Sequence, residues 1–147
     1  MVDISDKPVT HRMAKARGVI RMKPETLEAI RQGATRKGDV IAVARIAGIM
    51  AAKRTSELVP LCHPIPLTDV DLTIDLDDSL PGARVTASAK TAAQTGVEME
   101  AVVAASVTLI TIFDMVKGLD RDLIIGEITI TEKHGGKSGD WVRDLHP

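Results

Sequence analysis

The sequence predicts an α+β domain on the ferredoxin-like βαββαβ plan, with an antiparallel sheet carrying its helices on one face. Two observations carry most of that prediction. The runs 70–76 and 124–131 alternate apolar and polar residues with period two, which marks strands with one buried face. The order of elements is strand, helix in two pieces, strand, strand, helix, strand, as the plan requires.

In chain order, residues 1–16 read as a polar arm and Gly18 to Met22 as a short strand. Pro24 sits where a helix can begin, because its fixed φ and missing N–H cost nothing there, and Thr26 to Arg31 continue it. Asp39 is placed as the N-cap of a second helical segment from Val40 to about Leu58, which Pro60 stops. Ala44, Gly48 and Ala51 or Ala52 recur three and four apart within it, a face small enough for another backbone to approach closely. The strand at 70–76 is followed by a Pro81-Gly82 turn and a partner strand from Arg84 to Thr91. A long helix is expected from Val97 to Leu119, then the last alternating strand. The stretch 134–147, with Gly135, Gly136 and Gly139, is expected to be a mobile tail. The whole of 1–147 reads as one domain.

The long helix is apolar around most of its circumference, since Val102, Val103, Val107, Leu109, Ile110, Ile112, Phe113, Met115 and Val116 do not fit one stripe. Such a helix must be buried on several sides, which predicts self-association for so small a domain. Its longest apolar run, Ala101 to Phe113, is too short to span a membrane and reads as core. The formal net charge of −1 offers no general attraction to nucleic acid or an anionic membrane. Phe113 and Trp141 are the only aromatic residues, too few to serve as base-stacking platforms. Cys62 has no partner for an intrachain disulfide and the polar first residues do not resemble a secretory signal, so a cytoplasmic protein is expected.

Glu98, Glu100, Asp114 and Lys117 lie in or beside the long helix, where charges are expensive unless paired or employed. Thr95 to Glu98 also fits a capping box, and Asp114 with Lys117 fits an ordinary i,i+3 surface pair. On a 3.6-residue helix Glu100 and Asp114 share a face yet stand ~21 Å apart along the axis, so one small substrate cannot touch both within one chain. If both serve one site, an antiparallel pairing of identical copies must bring them together. His63 is held in a proline-braced loop, where a packing role is the simpler reading. Cys62 beside it does not make a nucleophile and base, since adjacent side chains of an extended chain point apart. His11, His63, His134 and His146 are too scattered to suggest a metal site. The segment Lys133 to Gly139 lacks the leading glycine and following helix of a nucleoside triphosphatase loop. What remains is a basic, glycine-rich stretch with backbone donors suited to phosphate, or a solvated tail.

Several strings in order resemble the cyclic pyranopterin monophosphate synthase family (molybdenum cofactor biosynthesis protein C). They are Lys37-Gly38-Asp39-Val40, Ala44-Arg45-Ile46-Ala47-Gly48, Ala52-Lys53-Arg54-Thr55, Pro60-Leu61-Cys62-His63-Pro64, Thr95-Gly96-Val97-Glu98-Met99-Glu100-Ala101, Asp114-Met115 with Lys117, and Gly135-Gly136-Lys137-Ser138-Gly139-Asp140. Val2-Asp3-Ile4-Ser5 is similar to the family's opening. The resemblance implies a lyase without metal or organic cofactor, which converts 3′,8-cyclo-7,8-dihydroguanosine 5′-triphosphate to cyclic pyranopterin monophosphate and pyrophosphate. It also implies a homohexamer, a trimer of dimers, with active sites at subunit interfaces. Carried over by position, Asp114, Lys117 and Lys37 are the catalytic residues it implies. Leu61, Cys62, His63, Glu98, Met99, Glu100 and Lys133 would contact substrate, with Arg12 and Arg17 on the triphosphate. The rival reading is a ligand-sensing ferredoxin-like oligomeric module that binds a small effector without transforming it.

Overall fold

The computed structural model describes residues 1–145; the end of the expected tail, with His146, lies outside the described residues. Strands β1 (Thr10–Arg21), β2 (Leu67–Asp77), β3 (Gly82–Ala93), β4 (Ile124–His134) and β5 (Trp141–Val142) form one sheet in the order β2-β3-β1-β4-β5, every pair antiparallel. The first four strands have the ferredoxin-like arrangement. Helices α1 (Pro24–Arg31), α2 (Val40–Ala52), α3 (Thr55–Leu58) and α4 (Glu98–Val116) fill the two connections, so the α+β class is as the sequence predicts.

The sheet's inner face is built from small side chains. Ala14, Ala16, Ala83, Ala87 and Ala89 are buried with Val85 and Ile20, and Leu109 of α4 presses so closely on Gly18 that a Cβ there would meet its Cδ1 at 2.6 Å. Lys15, Arg17, Thr86 and Ser88, one residue out of step, occupy the open face with Asp71 and Thr73. α2 packs on the other flank of α4 through the small-residue face. A Cβ on Gly48 would lie 2.1 Å from Thr108 Oγ1, 2.6 Å from Leu72 Cδ1 and 2.9 Å from the Ala104 carbonyl, so only glycine fits. α4 is therefore sandwiched between the sheet and α2 inside one chain, which covers most of its apolar circumference but leaves Ile110 exposed. It is also the one helix among the described residues long and apolar enough to cross a membrane, and over half of that window is buried in the core.

Four expectations need correction. The polar arm ends at Val9 rather than residue 16, because from Thr10 onward polar side chains alternate with buried Ala14 and Ala16 in β1. The segment expected to run as helix to Leu58 breaks at Lys53 and Arg54, where buried Thr55 donates its hydroxyl to the Ala52 carbonyl (2.9 Å) and closes α2. The last alternating strand continues to His134, its outer part pairing with β1 and, at 132–133, with β5. Finally, the glycine-rich tail contains β5, secured by the Arg143 amide and Nε donating to the Thr131 and Ile130 carbonyls, both at 2.8 Å.

Candidate active site

The two ends of α4 carry two groups of charged residues. At its C-terminal end Asp114 receives Lys117 Nζ on Oδ1 at 2.8 Å and Lys37 Nζ on Oδ2 at 2.5 Å. Lys37 also donates to the Asp114 carbonyl (3.2 Å). Lys37 comes from the α1–α2 connection, just before Asp39, which caps α2 by accepting from the Ala42 amide at 3.0 Å. An i,i+3 surface pair explains Lys117, but not a second ammonium delivered from 77 residues away. Asp114 is half exposed, so burial does not tune it; hydrogen bonds from Lys117 and then Lys37 hold its carboxyl down at about 2. At neutral pH it is an anion held between two ammonium groups.

At the N-terminal end Glu98, Met99 and Glu100 form the first turn, where a helix terminus favours carboxylates. The capping box expected at Thr95 to Glu98 is absent: Val97 is the cap residue, no side chain bonds the first turn, and Glu98 Oε1 instead meets Lys133 Nζ of β4 at 2.7 Å. Gly96 leaves room for this placement of Glu98, whose Oε2 would lie 1.9 Å from a Cβ on it. Glu100 is only 5% exposed. Burial raises its pKa first, and the neighbouring Glu98 charge adds to the effect, so desolvation outweighs the helix terminus.

A cavity of about 400 Å³ opens beside this turn, lined by Leu61, Cys62, His63, Glu98, Met99 and Glu100 together with Lys7 and residues Val2 and Ile4 of the arm. Cys62 and His63 therefore both line it. A turn leads into them, with the Cys62 amide donating to the Val59 carbonyl at 3.1 Å. Burial and the Glu100 charge push the Cys62 thiol up, so it is no poised thiolate. A second cavity of about 980 Å³ shares Lys7, Thr95, Gly96 and Glu98 with the first and adds Arg12, Lys133, Lys137 and Ser138. Arg12 is aimed by its bonds to the Ala93 carbonyl (Nε, 3.2 Å) and the Gln94 carbonyl (Nη2, 3.4 Å). Gln94 in turn ties down the arm through the Ser5 and Lys7 carbonyls.

The structure thus brings Leu61, Cys62, His63, Glu98, Met99, Glu100, Lys133 and Arg12 around one continuous groove, and Lys37, Asp114 and Lys117 into a second cluster. Arg17 joins neither. It lines a hollow on the open sheet face with Lys15 and Arg143. Lys7 is a groove residue that sequence reasoning missed, and its only signal is a lone lysine in the arm. Among the described residues no three His, Cys, Asp or Glu side chains are placed to hold a metal ion.

A family model described as the MoaC family matches residues 1–136. The chain belongs to the MoaC family. It is 60% identical over 141 residues to proteins named cyclic pyranopterin monophosphate synthase from Brucella ovis and Brucella abortus, covering 96% of this chain and 86% of theirs. The protein of that name from Brucella canis is 59% identical over the same extent. Family membership covers both charged clusters, because the matched residues extend from the arm past Lys133.

Replacing Glu100 with Gln is expected to stabilise the fold at neutral pH. A carboxyl whose folded pKa is raised favours folding less as pH climbs from its ordinary value of 4.5 through the folded one, and glutamine removes that loss. Thermal melts should show the variant ahead at pH 7, with the difference vanishing as pH falls below the ordinary carboxyl value.

Proposed function

We propose that this protein is a cyclic pyranopterin monophosphate synthase of molybdenum cofactor biosynthesis. Its substrate is 3′,8-cyclo-7,8-dihydroguanosine 5′-triphosphate, and it releases pyrophosphate. The observation that carries the reading is Asp114 held between Lys37 and Lys117, in a chain 60% identical to proteins of that name. Rearranging a ring skeleton requires protons to be taken and returned by positioned groups, and an anionic carboxylate touching two ammonium groups supplies both capacities. Asp114 serves as acceptor, with Lys117 and Lys37 as donors and partners to developing negative charge.

The groove at the other end of α4 receives the substrate. Glu98 and Glu100 offer acceptors to the N–H groups of a purine-derived ring, with His63, Cys62, Met99 and Leu61 as its walls. Arg12, Lys133, Lys7 and Lys137 face the phosphates. Arg17 reaches a phosphate only if another subunit presents it.

The two clusters are ~21 Å apart by helical rise, so the complete site takes one from each of two copies. Val43, Ile46 and Met50 of α2 and Met99 and Ile110 of α4 are apolar and exposed, a surface suited to such pairing. The assembly we propose is a cytoplasmic hexamer, a trimer of dimers.

Incubation with the cyclised nucleotide tests the reading: pyrophosphate and the cyclic pterin product should appear together. A ligand-sensing module would bind the nucleotide and release nothing. Full activity in an isolated subunit would remove the shared site while leaving the reaction intact.

A further inference from the structure

The most deeply buried carboxylate outside both clusters is Asp120, 2% exposed in the turn after α4. Both of its oxygens accept hydrogen bonds. Oδ2 takes the Lys23 amide at 2.8 Å and the Thr26 hydroxyl at 3.2 Å, while Oδ1 takes the Asp122 amide at 2.8 Å. Thr26 is itself 3% exposed. Lys23 is the cap residue of α1 and has no side chain able to accept, so a carboxylate from 97 residues away does the capping. Burial opposes the charge, and the three hydrogen bonds outweigh it, leaving the Asp120 pKa below its ordinary value.

What this joins matters more than how strongly. Three residues before Asp120 stands Lys117, and the Asp120 amide closes the turn on the Val116 carbonyl at 3.2 Å. On the other side, α1 leads through a short connection to Lys37. The two lysines that meet Asp114 thus reach it along separate stretches of chain, and the buried bonds of Asp120, beside an exposed Lys23 Nζ–Asp122 Oδ2 pair at 3.0 Å, fasten those stretches to each other. Without those buried bonds the start of α1 keeps Leu27, Ile30 and that exposed pair, and the segment leading to Lys37 is held firmly only from the α2 side, at Asp39.

We propose that Asp120 is a positioning residue for the Lys37–Asp114–Lys117 cluster, setting the approach of Lys37 to Asp114 through the start of α1. The inference rests on the reading that this cluster carries the reaction.

The test uses full-length Asp120→Asn, which keeps shape but presents an amide to donors. Turnover should fall up to about 100-fold with KM within about twofold, the signature of a displaced reacting group rather than lost binding. The independent readout is the Asp114 carboxyl, followed by NMR titration without ligand: its pKa should climb from about 2 toward the ordinary 3.8 as Lys37 withdraws. A folded variant with wild-type turnover and an unmoved Asp114 titration overturns the proposal, leaving Asp120 a stabilising cap alone. If Asp120→Asn does not fold, Thr26→Val removes one of the three donors at constant shape, and its Asp114 titration decides in the same way. Asp114→Asn is measured alongside. Full turnover there would sink the catalytic reading of the cluster, while the Asp114 titration in the Asp120 variant still judges the positioning.

Discussion

Asp114→Asn is expected to lower kcat by about 1,000-fold, within the range for losing a positioned acid or base, and to leave the melting temperature nearly unchanged. An amide neither accepts a proton near neutrality nor holds two ammonium groups, so the loss belongs in turnover rather than in KM. Folding is spared because the side chain is half exposed, and exposed ion pairs contribute little to stability. Lys117→Ala should behave similarly. The sign of the pH dependence follows from the depressed carboxyl: its stabilising contribution is present above the ordinary 3.8 and is lost as pH falls toward about 2. An acid limb near neutrality in the activity profile therefore belongs to another group. Wild-type turnover in Asp114→Asn would end the assignment.

Gly48→Val is expected to have the largest effect on stability. Helix propensity alone argues the other way, since replacing a mid-helix glycine with alanine gains ~1 kcal/mol. The space decides against it. The first added carbon already meets Thr108 Oγ1 at 2.1 Å, and the Ala104 carbonyl at 2.9 Å is backbone that cannot rotate aside. Overpacking of this kind costs about 3 kcal/mol, which lowers Tm by roughly 6–12 °C in a chain of this length. Gly48→Ala should lose stability in the same direction by a smaller amount. A Gly48→Ala melt at or above wild type would refute the close α2–α4 contact.

Much of the architecture was legible because its signals are local. Period-two alternation located β2 and β4, Pro24 and Asp39 started α1 and α2, and the spacing of Ala44, Gly48 and Ala51 announced a close approach before its partner was known. The start of β1 was hidden because His11, Lys15 and Arg17 make its outer face polar, Arg12 interrupts the inner one, and the inner residues that follow are alanines, which signal a strand weakly. β5 is two residues long and exists only through its ladder with 132–133. The helix break at Lys53 and Arg54 depends on Thr55 reaching back to Ala52, a bond no periodicity reveals.

The candidate site divides in the same way. Spacing pairs Asp114 with Lys117, and the contact is there; Lys37 reaches the same carboxylate only through the fold. Glu98 was open to a local reading as a cap, but its partner is Lys133 on a distant strand. Asp120 carries no local signal, since an aspartate in a turn after a helix is ordinary in sequence and its partners Lys23 and Thr26 lie far along the chain.

The alanine-lined inner sheet has a bearing on engineering. β1 and β3 carry, at their centre, a residue type that strands disfavour, and these small side chains form the surface on which α4 packs. Redesign rules that reward β-branched residues in strands would enrich Val or Ile at Ala14, Ala16, Ala87 and Ala89, and would wedge the layers apart. Thermostable versions are better sought on the opposite, solvent-facing side of the same strands, where Thr73, Thr86 and Ser88 leave room for larger cross-strand pairs.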